Sequence, residues 1–324
     1  MRRSGAIAFA FVFLAFGFAQ ALAQSFPDKP IKVIVPYPAG GPTDTIARAV
    51  TQHLGTTLGQ SIIIENQAGA GGRIAMKQVA RSDPDGYTLL LGGTNNNAIT
   101  PALYKDLDFD AVKDFTPAAA IGIDRLCVVI NPSVPAKTMA ELIAYAKANP
   151  GKLSSGGGIG ISPHFLLEFI RVKSGANIVF VPYKGAAPAL TDVLAGQIQM
   201  HATAKSVLLP HILAGKLRAL AVEGEKRWPE LPDVPTLDEV GFGGFPPAIW
   251  YGFLAPAKTP VTVIAKLDAA VKAQVQAPDV KATFAKLGID ASMMSPQEFG
   301  AVLEKERVTW ADLAQQTGIK LAAE

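Results

Sequence analysis

Glycine, hydroxyl and carboxylate residues follow an apolar run in the segment from Ile31 to Asp44. Gly40 and Gly41 let the backbone approach a ligand closely, and the helix that follows presents N–H groups and the positive end of its dipole. Thr43 adds a hydroxyl, and Asp44 is predicted to cap the helix. The segment predicts an anion-binding turn, with a plain strand-to-helix turn as the alternative. The candidate ligand contacts in it are Tyr37, Pro38, Ala39, Gly40, Gly41, Thr43 and Asp44.

A second glycine-rich turn, from Ser154 to His164, again lies between a predicted strand and a predicted helix. Pro163 suits the first helical position, which makes Ser162 the predicted N-cap and puts His164 in the first turn. The turn has neither the G-x-G-x-x-G fingerprint of dinucleotide sites nor the Gly-Lys-Ser/Thr ending of a P-loop. A binding role and a structural role both stay open for the histidine. The candidate contacts are Gly158, Gly160, Ser162 and His164.

Two further polar positions, Thr94 and Asn95, follow an apolar strand predicted from Tyr87 to Gly92. Because the carboxyl ends of parallel strands share one edge of a sheet, these side chains are expected near the first glycine turn. They could hydrogen-bond a ligand. The alternative is a polar turn in which asparagine tolerates unusual backbone angles.

Residues 179–188 nearly repeat residues 33–42, with identical residues at five of the ten aligned positions. The second copy runs from an apolar strand through a turn of small residues, and it adds Tyr183 to the candidate contacts. Two α/β lobes that each offer one such turn would account for the repeat. Chance similarity between two common strand-to-helix turns is the alternative.

Residue types that serve catalysis or metal binding occur here without the spacing that those functions need. The four histidines show no zinc pattern such as H-E-x-x-H, and the chain has no G-x-S-x-G nucleophile elbow. Cys127 lies inside an apolar strand and is predicted to be a buried core thiol. We therefore predict no catalytic residue, no metal site and no cofactor, while a triad assembled from distant residues stays open.

The N-terminus is arranged like a secretory signal peptide, with Arg2 and Arg3 before an apolar run and small residues before Gln24. The run is shorter than the roughly 20 residues that a membrane span needs, so residues 1–23 are predicted to be cleaved. Cleavage leaves a formal charge of +1, which gives no reason to expect a nucleic acid partner. The remaining chain of about 300 residues exceeds one typical domain and favours two lobes.

Short apolar segments alternate with amphipathic helical segments through most of the chain, as in Ile31–Val35 followed by a predicted helix at residues 45–58. Strands that are apolar throughout are buried on both faces, so we predict mostly parallel, doubly wound α/β sheets. The chain is expected to pass between lobes after Thr116 and again through the Gly/Pro-rich segment 241–247.

The predicted domain organisation has a discontinuous first lobe, because a C-terminal helical run returns to it. Lobe 1 comprises residues 24–125 and 252–324, and lobe 2 comprises residues 126–251. Two crossings between lobes are the layout of a cleft that closes by a hinge motion.

Five segments, in their order and spacing, resemble the Bug (TctC-like) periplasmic solute receptors: 36–44, 65–72, 84–92, 181–185 and 214–222. The resemblance covers essentially the whole mature chain. It implies a two-lobed periplasmic binding protein of type II, a monomeric Venus flytrap that holds a carboxylated solute for the membrane permease subunits of a tripartite tricarboxylate transporter. It also implies that the two glycine-rich turns supply N–H groups and hydroxyls to the ligand carboxylate.

Two positions depart from the usual pattern of that family. Ile161 stands where the family commonly has Ser or Thr, and Thr203 stands where it often has Asp. Both changes make the wall of the second lobe more apolar, so we predict a small organic carboxylate with an apolar or aromatic body and add Thr203 to the candidate contacts. The alternatives are a secreted α/β enzyme that acts on a small carboxylate and a ligand-sensing co-receptor of a signalling system.

Overall fold

The computed structural model describes residues 26–104, 106–246 and 249–319, so the predicted signal peptide lies outside the described residues. The strands in this part of the chain are β1 (Ile31–Val35), β2 (Ile62–Asn66), β3 (Thr88–Gly93), β4 (Phe115–Asp124), β5 (Leu126–Ile130), β6 (Leu153–Gly158), β7 (Ile178–Tyr183), β8 (Met200–Ala204), β9 (Arg218–Val222), β10 (Ile249–Pro256) and β11 (Asp290–Ala291). They form one sheet in the order β11-β4-β10-β3-β1-β2 and another in the order β7-β6-β8-β5-β9.

Helices cover both sheets. They are α1 (Pro42–Leu58), α2 (Arg73–Ala80), α3 (Thr100–Leu103), α4 (Met139–Ala148), α5 (Ser162–Ser174), α6 (Ala186–Leu194), α7 (Lys205–Leu213), α8 (Val261–Gln276), α9 (Pro278–Leu287) and α10 (Pro296–Thr317), with a short 3-10 turn at Ala70–Gly72 and a π-helix at Thr94–Ile99. Local sequence fixes their ends. At α10, for example, Ser295 and Glu298 form a reciprocal capping box, and Gly318 ends the helix with φ +68°.

Both sheets are mixed, which corrects the prediction of mostly parallel sheets. In the first sheet β1 runs parallel to β2 and β3, but β10 runs antiparallel to β3 and β4. In the second sheet β6 runs parallel to β7 and β8, but β5 runs antiparallel to β8 and β9. Burial on both faces makes a strand apolar throughout, whether it runs parallel or antiparallel to its neighbours. The composition of a strand therefore does not reveal its direction.

The strand β4 is a second correction, since the sequence predicted only a passage between lobes after Thr116. This stretch forms a ten-residue strand that pairs with β10. It contains Thr-Pro and a run of alanines, which have little intrinsic strand preference, so pairing and burial decide its conformation.

The chain leaves the first sheet at Asp124 and enters the second at Leu126, with Arg125 between them. It returns at β10, which pairs with β3 and β4 of the first sheet. We refer to the first sheet with its helices as the first lobe and to the second sheet with its helices as the second lobe. The residue limits of the lobes stay predictions, and the limit between residues 251 and 252 falls inside β10.

Apolar faces of the sheets are buried under the helices. Ile31, Val33 and Val35 of β1 are 0% exposed and pack in one cluster with the apolar side of α1. Each fully buried side chain of this kind contributes about 1.5–3 kcal/mol relative to exposure. In the described parts of the chain, no helix is both long and apolar enough to cross a membrane.

Candidate ligand-binding site

The first glycine turn connects β1 to α1 and is fixed by the helix that follows it. The helix begins at Pro42 with Gly41 as its N-cap, so Asp44 is the third helical residue and not the N-cap, which corrects the prediction. Its carboxylate instead reaches back: Oδ2 accepts hydrogen bonds from the Gly40 N–H at 2.8 Å and from Arg48 Nε at 2.9 Å. A side chain at the third helical position can accept a hydrogen bond from a backbone N–H that precedes the helix, as in a capping box.

Asn66, at the end of β2, completes this network. Its Nδ2 donates to Asp44 Oδ1 at 3.0 Å and to the Tyr37 carbonyl at 3.1 Å. Burial raises the pKa of the Asp44 carboxyl, but hydrogen bonds from Arg48, Gly40 and Asn66 outweigh burial, and the net pKa is lowered. Asp44 is therefore an ionised, 3% exposed anchor for the turn.

The other candidate residues of this turn differ in exposure. Pro38, Ala39 and Gly40 are exposed, whereas Thr43 is 8% exposed and hydrogen-bonded to the Tyr251 side chain. Burial raises the pKa of Tyr37, which lies beside Asn96. The exposed residues 38–40 and the half-buried Gly41 are thus the part of the turn that solvent reaches.

The second glycine turn connects β6 to α5. The helix begins at Ser162 with Ile161 as its N-cap, and Pro163 occupies the second helical position, which corrects the prediction of a Ser162 cap. The Gly160 N–H donates to His164 Nδ1 at 3.1 Å, and the imidazole stacks on Phe180 with ring centroids 4.0 Å apart. Burial lowers the pKa of His164 to about 4, so the ring is neutral at pH 7 and carries its proton on Nε2.

The two turns share one backbone arrangement. In each, a glycine with positive φ (+82° at Gly40, +68° at Gly160) donates its N–H to the side chain four residues later. The acceptor is ionised Asp44 in the first lobe and neutral His164 in the second. The repeat at residues 179–188 marks a different turn, between β7 and α6, so sequence similarity and similarity of backbone geometry point to different segments.

A hydrogen bond across the lobes joins the π-helix of the first lobe to the second glycine turn. Asn95, from the π-helix, accepts with Oδ1 from the Ser162 N–H at 2.9 Å. The Ser162 hydroxyl is 1% exposed and has no hydrogen-bond partner among the described residues. The Ile161 side chain folds back toward Gly158, where an added Cβ would lie 3.0 Å from Ile161 Cδ1. An unsatisfied hydroxyl beside an apolar side chain suits a ligand with a polar end and an apolar body.

Thr94 is 0% exposed and bonded within the first lobe. Its hydroxyl donates to Glu306 Oε2 at 3.1 Å and accepts from the Trp250 N–H at 3.2 Å. Burial raises the pKa of Glu306 to about 8 despite hydrogen bonds from the indole of Trp250 and from Thr94. Sequence reasoning missed Glu306, because a single acid on a long amphipathic helix has the pattern of a solvated residue.

Tyr183 and Thr203 are likewise engaged with the second lobe. The Tyr183 hydroxyl donates to Asp192 Oδ2 at 2.6 Å, and this bond with burial raises the pKa of Tyr183 to about 12. Thr203 is 2% exposed on β8 and is paired in register with Cys127, which is buried as predicted. Neighbouring His201 places Nδ1 2.6 Å from the Gly156 carbonyl, and burial lowers its pKa to about 4.

Within the described residues, no group of three or more His, Cys, Asp or Glu side chains is placed to hold a metal ion.

Comparisons with known proteins give the family of the chain. Residues 46–319 match the model of the tripartite tricarboxylate transporter family receptor. Protein BugT of Bordetella pertussis is 34% identical over 305 residues, which cover 94% of each chain. Among solved structures, the periplasmic binding protein BugD is 34% identical with a TM-score of 0.83, covering 91% of this chain and 99% of that one.

Two similar structures contain a bound carboxylate. A protein of R. palustris with adipate is 32% identical with a TM-score of 0.85, covering 91% of this chain and 99% of that one. MatC from Rhodopseudomonas palustris, with bound malate, is 32% identical with a TM-score of 0.82, covering 89% of this chain and 99% of that one. These similarities confirm the resemblance and the two-lobed α/β fold class. The chain belongs to the receptor family of the tripartite tricarboxylate transporters.

Proposed function

We propose that this receptor captures a small organic carboxylate between the turns at residues 37–44 and 158–164. The single observation that carries the proposal is the buried Ser162 hydroxyl, which has no hydrogen-bond partner among the described residues at the place where the two lobes meet through Asn95. A buried hydroxyl without a partner costs about 1–3 kcal/mol, and a ligand oxygen would recover that cost. Adipate and malate in the similar structures support a carboxylate as the polar end.

The body of the ligand is proposed to be apolar or aromatic. Ile161 lines the second turn, and the buried Thr203 offers no carboxylate to an ammonium group. An ammonium ion buried without a partner would be costly, so acidic amino acids should bind poorly. The role is capture without turnover, in the periplasm, by a monomer that delivers the solute to permease subunits of a tripartite tricarboxylate-type transporter.

A thermal-shift panel tests this proposal, with adipate, malate, benzoate, aspartate and glutamate as probes. Adipate or benzoate is expected to raise the melting temperature, while aspartate and glutamate are not. The strongest probe is then titrated by calorimetry into wild type, Ser162→Ala and Gly41→Val. Ser162→Ala should weaken binding about 5- to 100-fold, through loss of one buried hydrogen bond.

Gly41→Val should abolish binding without unfolding the protein. Gly41 has φ −79°, which valine adopts, and an added Cβ would lie 3.5 Å from the Pro38 carbonyl, an ordinary contact. Gly40 is a poorer choice because its φ of +82° would strain any other residue. Ala301→Val, on an exposed face of α10, adds a similar side chain outside the site. Wild-type affinity in folded Gly41→Val would refute the assignment of the turn.

A further inference from the structure

The π-helix Thr94–Ile99 is anchored firmly in the first lobe. Asn97 accepts with Oδ1 from the Gly93 N–H at 3.3 Å and donates with Nδ2 to the Ala111 carbonyl at 3.1 Å. Asn97 is 0% exposed, so water does not compete for either hydrogen bond. π-helical turns are rare and occur often at functional sites. The position of this π-helix relative to the first sheet is therefore fixed.

Asn95, two residues earlier, points its amide at the other lobe. Its Oδ1 accepts from the Ser162 N–H at 2.9 Å, while its own carbonyl accepts from the Thr100 hydroxyl at 3.0 Å. The Ser162 N–H is one of the first N–H groups of α5, which have no partner inside the helix. Asn95 thus caps a helix of the second lobe from the first lobe.

Aromatic side chains continue this contact behind the polar bond. Trp310 of α10 packs edge to face on Phe165 of α5, with centroids 5.3 Å apart, and on Phe245, with centroids 5.7 Å apart. Phe165 and Trp310 are 0% and 1% exposed, and Ile99 of the π-helix belongs to the same buried cluster. Aromatic pairs of this geometry add to the gain from burial.

We propose that Asn95 is a positioning residue which, together with the Phe165–Trp310 pair, holds the two lobes in contact before a ligand arrives. We call these three residues the clamp. The inference rests on the proposed function only in placing the ligand between the lobes. The apparent affinity of a receptor is reduced when only a small fraction of the empty protein is in the binding-competent conformation. Contacts that keep the lobes partly closed raise this fraction and so raise the apparent affinity.

The test measures the distance between the lobes in the empty mature protein. Spin labels are attached to cysteines introduced by Ile63→Cys in the first lobe and Val172→Cys in the second, since both positions are 49% exposed. Cys127 is 0% exposed and stays in place. The distance distribution of the empty protein is expected to hold a major short-distance population, which Asn95→Ala shifts toward longer distances.

Two further variants separate the clamp from other effects. Asn95→Asp keeps an acceptor for the Ser162 N–H, so it should retain the short-distance population yet weaken binding of a carboxylate probe through charge repulsion. Asn149→Ala removes an amide that bonds to Tyr145 in α4, and it should leave the distances unchanged. Trp310→Ala should lengthen the distances further, if circular dichroism shows that it folds.

Affinity gives the second readout. With adipate as probe, Asn95→Ala should raise Kd about 2- to 10-fold, as expected for one lost hydrogen bond. Identical distance distributions in empty wild type and folded Asn95→Ala would overturn the clamp. Failure of every carboxylate in the panel would instead overturn the proposed function, because the distance measurement needs no ligand.

Discussion

Asp124 ends β4 where the chain leaves the first sheet, and its carboxyl is 0% exposed. Oδ2 accepts from the Ser206 hydroxyl of the second lobe at 2.6 Å, and Oδ1 accepts from the Arg125 N–H at 2.8 Å. Burial raises the pKa of Asp124, while these hydrogen bonds and the charge of Lys205 lower it. The effect of burial is the larger one, and the resulting pKa is about 7. The folded protein therefore keeps a proton at this site at pH values where the unfolded chain has lost it.

The sign of the effect on stability follows from proton linkage. Between pH 3.8 and about 7 the folded state binds more protons than the unfolded state, so the free energy of unfolding falls as pH rises. The fall is about 1.4 kcal/mol per pH unit until the folded carboxyl itself ionises. From pH 5 to pH 8 Asp124 alone should cost about 2–3 kcal/mol of stability.

Asp124→Asn checks this magnitude, because an amide has nearly the shape of the protonated carboxyl and does not titrate. Urea denaturation at pH 5, 6, 7 and 8 gives the free energy of unfolding of each protein. The fall in stability with pH should shrink by about 2–3 kcal/mol in Asp124→Asn. Asp83→Asn, at an exposed position, should follow wild type. If wild type and Asp124→Asn lose the same stability between pH 5 and 8, the reasoning about Asp124 is wrong.

Two further substitutions probe the turns and the core. Asp44→Asn removes the charge that holds Gly40 and Arg48, so calorimetry should show a Kd about tenfold higher or more for the strongest probe of the panel; unchanged affinity would show that the network does not shape the site. Gly252→Ala would place a Cβ 2.4 Å from Phe299 Cζ and should cost at least about 1–3 kcal/mol in thermal denaturation. Gly157→Ala is the matched control, since its Cβ would meet no atom of the described residues within 4 Å, and equal melting temperatures for the two variants would contradict the steric argument.

Periodicity alone predicted most of the helices and strands, since an apolar run such as β1 and an amphipathic run such as α10 carry their own signal. The two glycine turns were also found, because glycines between a strand and a helix have few other uses. Strand direction was not found. The antiparallel placement of β10 and β5 depends on pairing between residues far apart in the chain, which local composition does not encode.

Details of the site escaped the sequence for a related reason. Ser162 is a favourable N-cap by type, yet the cap is Ile161, and Asn95 of the other lobe supplies the acceptor. Asn66 lay in a recognised motif, but its bond to Asp44 joins residues 22 positions apart. Tertiary contacts thus took over roles that local propensity would give to neighbouring residues.

The N–H groups of Gly40 and Gly160 have a different use from the one that their sequence suggested. A glycine turn before a helix predicts free N–H groups for an anion, but both of these groups are already bonded to side chains of their own turns. Glycine is still required, because both positions have positive φ. The internal bonds fix each turn before a ligand arrives, so less conformational entropy is lost on binding. The donors left for a carboxylate are then the remaining groups of two rigid turns, and their positions relative to each other depend on how firmly the lobes are held together.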